Sequence, residues 1–140
     1  MSGVAIQAAP ERGEWTAGER ELGIEPGGIV NVGWHCSDRI CLRGDARKRA
    51  LVWEDVHGNA RTYTFDDLRV LSNAVARHLA GLGLRPGERV CLFLDRVPEL
   101  YIGFLGILKM GGIVQPLFSA FGDESLATRL EDSGAAAILT

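Results

Sequence analysis

Gly81, Gly83 and Gly87 stand at a spacing close to that of dinucleotide-binding loops. Such a loop grips a pyrophosphate only when it leaves a strand and opens a helix, because the anion is held by the first amides of that helix. Here the glycines follow a helical pattern and precede an apolar run, so they read as a helix stop and a turn. No glycine loop ends in Lys-Ser or Lys-Thr, which leaves out the other common phosphate cradle. Asp95 ends an apolar strand pattern, a place from which carboxylates act in α/β proteins. The acidic pair and later strand-end lysine of a phospho-acceptor site do not assemble around it, and it reads as a polar residue closing a strand. Glu99 follows Pro98, where the positive end of a helix accounts for it. His35, His57 and His78 have no nucleophile in a recognised arrangement, and there is no G-x-S-x-G. The three cysteines, Cys36, Cys41 and Cys91, are an odd number, which argues against a disulfide framework and suits a reducing compartment. Cys36 and Cys41, taken with His35 and His57, do not match zinc-finger spacing. Trp15, Trp34 and Trp53 do not interleave with basic residues, so no base-stacking platform is implied.

The elements that would position any site are clearer than the site. Residues 1–30 show no sustained period and read as a mobile or extended lead-in. Val32, Cys36 and Ile40 recur at helical spacing, with Asn31 placed to cap and Gly44 to stop a short amphipathic helix. Ala50–Glu54 and Arg61–Thr64 alternate as strands around His57-Gly58-Asn59, a hairpin with a longer loop. Thr64 and Asp67 predict a capping box. Leu68, Leu71, Val75, Leu79 and Leu82 form the apolar stripe of the helix that follows, and Gly81 and Gly83 end it. Arg69, Arg77 and His78 fall off that stripe, toward water. Arg89–Leu94 is a near-continuous apolar run, as in a strand covered on both faces. Cys91 sits within it as a small buried hydrophobe. Pro98 opens a helix whose predicted buried stripe is Leu100, Tyr101, Phe104, Leu105 and Leu108. Gly111-Gly112 stops it, Ile113–Phe118 is the next strand, Asp123 to Gly134 the next helix, and Ala135–Thr140 another apolar run. Strand and helix alternate, which predicts an α/β fold with a mostly parallel sheet and right-handed crossovers.

At 140 residues the chain is one domain's worth, and 46% apolar with 24% charged residues is an ordinary globular composition. The whole net charge of −3 lies in residues 1–30, where Arg12 and Arg20 face five glutamates. The remainder is neutral and presents no basic stripe, so nucleic acid is not an expected partner. Arg47-Lys48-Arg49 reads as a solvated turn. There is no basic segment followed by an apolar core of secretory type, and the apolar stretch from Leu100 to Phe118 is broken by Lys109, Gly111-Gly112, Gln115 and Pro116. Neither a membrane partner nor a location outside the cytoplasm is expected.

From Asn31 to Thr140 the chain resembles the N-terminal part of the large domain of adenylate-forming acyl-CoA ligases. Asn31-Val32-Gly33-Trp34-His35-Cys36-Ser37-Asp38-Arg39 is similar to the opening Asn…Asp-Arg helix of the acetate branch. Tyr63-Thr64-Phe65-Asp66-Asp67-Leu68 resembles the family's Tyr-Thr cap, and Gly87-Glu88-Arg89-Val90 with Pro98-Glu99-Leu100 its strand–helix unit. Lys109-Met110-Gly111-Gly112 resembles the Lys-x-Gly-Ala before its next strand. Where many fatty-acyl, aryl and luciferase-like members have Asn-Pro, this chain has Phe118-Ser119-Ala120-Phe121, a pattern similar to the acetate and short-chain ligases. Ile40 and Gly112 depart from that branch, which commonly has histidine and alanine there.

The resemblance implies a two-step reaction: a carboxylate attacks the α-phosphate of ATP with loss of pyrophosphate, and the sulfur of coenzyme A then takes the acyl group. It implies ATP, Mg²⁺ and coenzyme A as cofactors, a small carboxylate such as acetate as substrate, and a cytoplasmic enzyme. The family's phosphate loop, its later acidic and arginine motifs and its C-terminal lysine have no counterpart in Met1–Thr140, so no catalytic residue is carried over. The 140 residues alone are expected to be inactive, with residues 31–140 an incomplete N-terminal α/β portion of an AMP-binding domain. Ser119 and Ala120 are carried over as neighbours of coenzyme A; a plain turn between strand and helix accounts for them equally. Two alternatives stay open: a ligase for propionate or another short-chain acid, and a stand-alone, non-catalytic α/β interaction module.

Overall fold

A computed structural model describes residues 12–25 and 28–140, which belong to two compact units divided between Val30 and Asn31. In the first unit, α1 spans Arg12–Leu22. Over those residues the lead-in, expected to be mobile or extended, is helical. Ala17, Glu19, Arg20, Glu21 and Leu22 are good helix formers, and their lack of an apolar stripe hid them from a periodicity test. The amides of Gly23 and Ile24 close the helix on the carbonyls of Arg20 and Glu19. Residues 1–11, 26 and 27 of the expected lead-in lie outside the described residues.

The second unit begins with α2 (Val32–His35) and α3 (Asp38–Ile40), followed by an irregular π-type turn, Cys41–Asp45. Asn31 caps α2 as expected, its Oδ1 accepting the Trp34 amide at 3.0 Å. The single amphipathic helix is not formed, and its predicted stripe is not the buried face: Val32 and Cys36 are exposed, while Gly33 and Ser37 are buried. Hydrogen bonding outweighs hydropathy here. The Asn31 amide also donates to the carbonyls of Leu108 and Lys109, both at 3.1 Å, and so docks this segment on the end of a later helix.

Next come β1 (Arg49–Glu54) and β2 (Ala60–Thr64), an antiparallel hairpin, and α4 (Phe65–Gly81). The predicted capping box closes α4: the Asp67 amide donates to Thr64 Oγ1 at 3.1 Å, and the Thr64 amide donates to the Asp67 carboxylate at 2.8 Å. Its core face holds Leu68, Ser72, Val75 and Leu79, whereas Leu71 and Leu82 of the predicted stripe are exposed. Ser72 is tolerated inside because its hydroxyl donates to the Leu68 carbonyl one turn back.

The strands β3 (Arg89–Leu92), β4 (Ile113–Pro116) and β5 (Ala137–Leu139) form a parallel sheet in the order β4-β3-β5, with α5 (Pro98–Lys109) and α6 (Asp123–Ser133) as crossovers. Central β3 is buried along Val90, Cys91 and Leu92, as its unbroken apolar run predicts. Leu79, Val90, Leu92 and Ile107 make the centre of the core. Burial pushes the Cys91 thiol above its ordinary range.

The buried face of α5 differs from the predicted one. Ile102, Gly103, Gly106 and Ile107 face inward, whereas Tyr101 and Phe104 are exposed. Two glycines on one face let α5 approach its neighbours closely: a Cβ on Gly106 would lie 2.6 Å from Val75 Cγ1 of α4. Gly111, at φ +82°, then turns the chain out of α5 into β4.

Candidate functional site

The sequence order of the strands makes a natural crevice. From β3 the chain crosses to β4 on one side, then returns past β3 to β5 on the other. Ligands in open parallel sheets bind beyond the carboxyl ends of strands where the order reverses in this way. The two crossovers lie on opposite faces: Leu92 and Leu139 approach Gly103 of α5, while Gln115 Nε2 donates to the Arg129 carbonyl of α6 at 3.3 Å.

Two loops extend the sheet at this end. The Phe93 amide donates to the Leu139 carbonyl and the Leu117 amide to the Leu92 carbonyl, both at 2.9 Å, so the ladder continues past the strands. Beyond it, the loop Asp95-Arg96 after β3 faces the loop Phe118-Ser119 after β4 across a cleft of about 450 Å³. Leu94, Leu100 and Leu117 supply its apolar wall.

Each loop is held from outside the cleft. The Trp53 indole N–H of the β1–β2 hairpin donates to the Arg96 carbonyl at 2.7 Å. The Arg61 guanidinium lies over the Trp53 ring at 4.8 Å and reaches Glu99 at 3.6 Å. On the other loop, Phe118 and Phe121 meet edge to face at 6.0 Å, and the Arg129 guanidinium lies over Phe121 at 4.1 Å. Ser133 Oγ donates to Gln115 Oε1 at 2.8 Å, fixing α6 to the strand that carries the loop.

Ser119 is therefore at the cleft and half-buried, whereas Ala120 is exposed at the turn beside it. Asp95 lies in the same cleft rather than merely ending a strand. Arg96 and its support Trp53 were missed by sequence reasoning; the signal available was a cation two residues past the apolar run Arg89–Leu94. The histidines lie elsewhere. His35 Nδ1 is 2.8 Å from the Asn31 carbonyl oxygen, and His57 and His78 are exposed. Among the described residues, no three His, Cys, Asp or Glu side chains gather to hold a metal ion. Arg96, Asp95 and Ser119 thus line the cleft together with exposed Phe118.

A second cluster lies where α3, α4 and α5 meet. Asp38, Asn73 and Lys109, from α3, α4 and α5, form a network with buried Ser37. Lys109 Nζ pairs with Asp38 and donates to Asn73 Oδ1 at 3.0 Å, while Asn73 Nδ2 donates to Asp38 Oδ1 at 3.2 Å. The Ser37 hydroxyl lies 3.0 Å from Asp38 and 2.7 Å from the Gly33 carbonyl, donating to one at a time. Burial is the largest influence on Asp38 and opposes its ionisation; Lys109, Asn73 and Ser37 together outweigh it and hold the carboxyl below its ordinary value.

Such a sheet, with a crevice at its strand ends and helices on both faces, defines an open parallel α/β protein. The profile of the AMP-binding enzyme family matches residues 39–140. An acetyl-coenzyme A synthetase of Gemmatimonas aurantiaca is 33% identical over 97% of this chain, which spans 19% of that relative. A 3-hydroxypropionyl-coenzyme A synthetase of Sulfurisphaera tokodaii is 32% identical over 81% of the chain and 17% of the relative. The solved acyl-CoA synthetase of Brucella canis superposes with a TM-score of 0.76 at 35% identity, over 88% of this chain and 22% of that one. The chain belongs to the AMP-binding enzyme family of adenylate-forming acyl-CoA ligases.

Proposed function

We propose that the protein carrying this chain is an AMP-forming ligase that joins acetate to coenzyme A through acetyl-adenylate, and that residues 31–140 are the N-terminal portion of its AMP-binding domain. The observation that carries this reading is the Phe118–Phe121 loop of the short-chain type, set at the end of β4 and lining the crevice with Ser119. The names of the similar curated proteins support it. The 3-hydroxypropionyl relative favours keeping another short acid as the second reading, since the acyl pocket is not built by these residues.

In this reading the first step develops charge on phosphate oxygens, which Mg²⁺ and cationic groups absorb. The family motifs that supply those groups have no counterpart in Met1–Thr140. What these residues do is bind: Ser119, with Ala120 beside it, borders the nucleotide portion of coenzyme A, and the apolar wall keeps water from that side. Among the described residues no helix is long and apolar enough to cross a membrane.

Acid-dependent exchange of pyrophosphate into ATP tests the reading. The longer protein should exchange with acetate above propionate and 3-hydroxypropionate, and the 140-residue chain alone should give none. Exchange by the short chain would refute its inactivity. Preference for a different acid would replace acetate with that acid.

A further inference from the structure

We propose that Arg96 is the phosphate-binding residue of the cleft, taking a phosphate group of an adenine nucleotide between the loops after β3 and β4. This rests on the ligase reading and sharpens it by naming a residue and a ligand group. Nothing in the sequence resemblance assigned Arg96 a role.

Three observations carry it. The first is placement: Arg96 lines the same cleft as Ser119 and Phe118, at the carboxyl end of the sheet. The second is rigidity. Its carbonyl accepts the Trp53 indole N–H at 2.7 Å, and the Val97 amide closes on the Asp95 carbonyl at 2.8 Å, so the peptide carrying the guanidinium is held on both sides. The third is charge. The carboxylate one turn ahead, Glu99, is drawn to Arg61 at 3.6 Å. Among the described residues no carboxylate forms an ion pair with Arg96, not even adjacent Asp95. A guanidinium presents a planar fork of donors that matches phosphate oxygens, and one left unneutralised in a cleft is available for that pairing. Asp95, on the same wall, opposes an anion and should temper its affinity.

Both ATP and coenzyme A carry such phosphates, and titration distinguishes them. Coenzyme A, 3′-dephospho-coenzyme A and ATP are each titrated into the protein that carries this chain and into Arg96→Ala, Arg96→Lys and Asp95→Asn variants. Arg96 and Asp95 are both exposed, so the variants should keep the fold, which circular dichroism checks. Arg96→Ala should weaken one of the nucleotides on the order of tenfold, the size expected for losing a hydrogen bond to a charged group. Arg96→Lys should lose less, and Asp95→Asn should bind more tightly. A loss seen with coenzyme A and absent with its dephospho form assigns the 3′-phosphate; a loss confined to ATP assigns its phosphates. Arg96→Ala binding all three as the wild type does, or wild type binding none, overturns the proposal. The ligase reading is judged apart from it, by thioester formation.

Discussion

Lys109→Ala is expected to lower the stability of the fold by about 3 kcal/mol, the lower end of the range for breaking a buried ion pair. The Lys109 side chain is only 6% exposed and that of Asp38 15%. Removing the ammonium strands the Asp38 carboxylate among Asn73 and Ser37 without its counter-charge. It also frees α5 from α3 and α4 at the point where all three meet. Chemical denaturation of the protein that carries this chain measures the loss. A double variant, Asp38→Asn with Lys109→Met, should recover more than half of it, because the cost lies in the orphaned charge rather than in the missing contact.

The pH dependence has a defined sign. The folded state holds the Asp38 carboxyl below its ordinary value of 3.8. Its contribution is therefore complete above the unfolded value and is lost as pH falls through the lower folded one. The stability gap between wild type and Lys109→Ala should narrow as the pH is taken below that range. A gap that stays constant, or a Lys109→Ala variant as stable as the wild type, would mean the pair contributes nothing net.

The second large effect is expected at Gly106, where α4 and α5 touch. An added Cβ would lie 2.6 Å from Val75 Cγ1, 2.7 Å from Val75 Cβ and 3.0 Å from the Ser72 carbonyl oxygen. Alanine is the better helix former by about 1 kcal/mol, which favours the substitution. Overpacking a dense core costs about 1–3 kcal/mol and opposes it. Two of the three neighbours, a Cβ and a backbone oxygen, cannot be relieved by a rotamer change, so the clash should prevail. Gly106→Ala is expected to destabilise by about 2 kcal/mol, at the upper part of that range after the helix gain. Val75→Ala in the same background should not restore the fold, since the Val75 Cβ remains in place. Rescue by that truncation, or stabilisation by Gly106→Ala alone, would show that the helices separate easily here.

These residues also show where sequence was enough and where it was not. The capping box of Thr64 and Asp67, the glycine stops at Gly83, Gly111 and Gly134 and the parallel α/β order are local signals, and the structure carries each of them. The Lys109–Asp38 pair was invisible because it joins residues far apart in sequence, both of types usually found in water. The face of α5 was misread because that helix is apolar nearly all round. Hydropathy favoured Tyr101 and Phe104, while close packing selected Gly103 and Gly106. At the cleft, the loop carrying Ser119 was legible by resemblance. Arg96 was not, since its setting depends on a tryptophan from the hairpin and on a strand crossing that only the fold brings together.

If this chain serves an adenylate-forming acyl-CoA ligase, AMP leaves as the thioester forms. The most direct measurement is to incubate the longer protein with acetate, ATP, Mg²⁺ and coenzyme A and to identify the nucleotide product together with the thioester. The account predicts AMP and acetyl-coenzyme A in equal amounts. ADP in place of AMP, or no thioester with acetate or any other short acid, would contradict it.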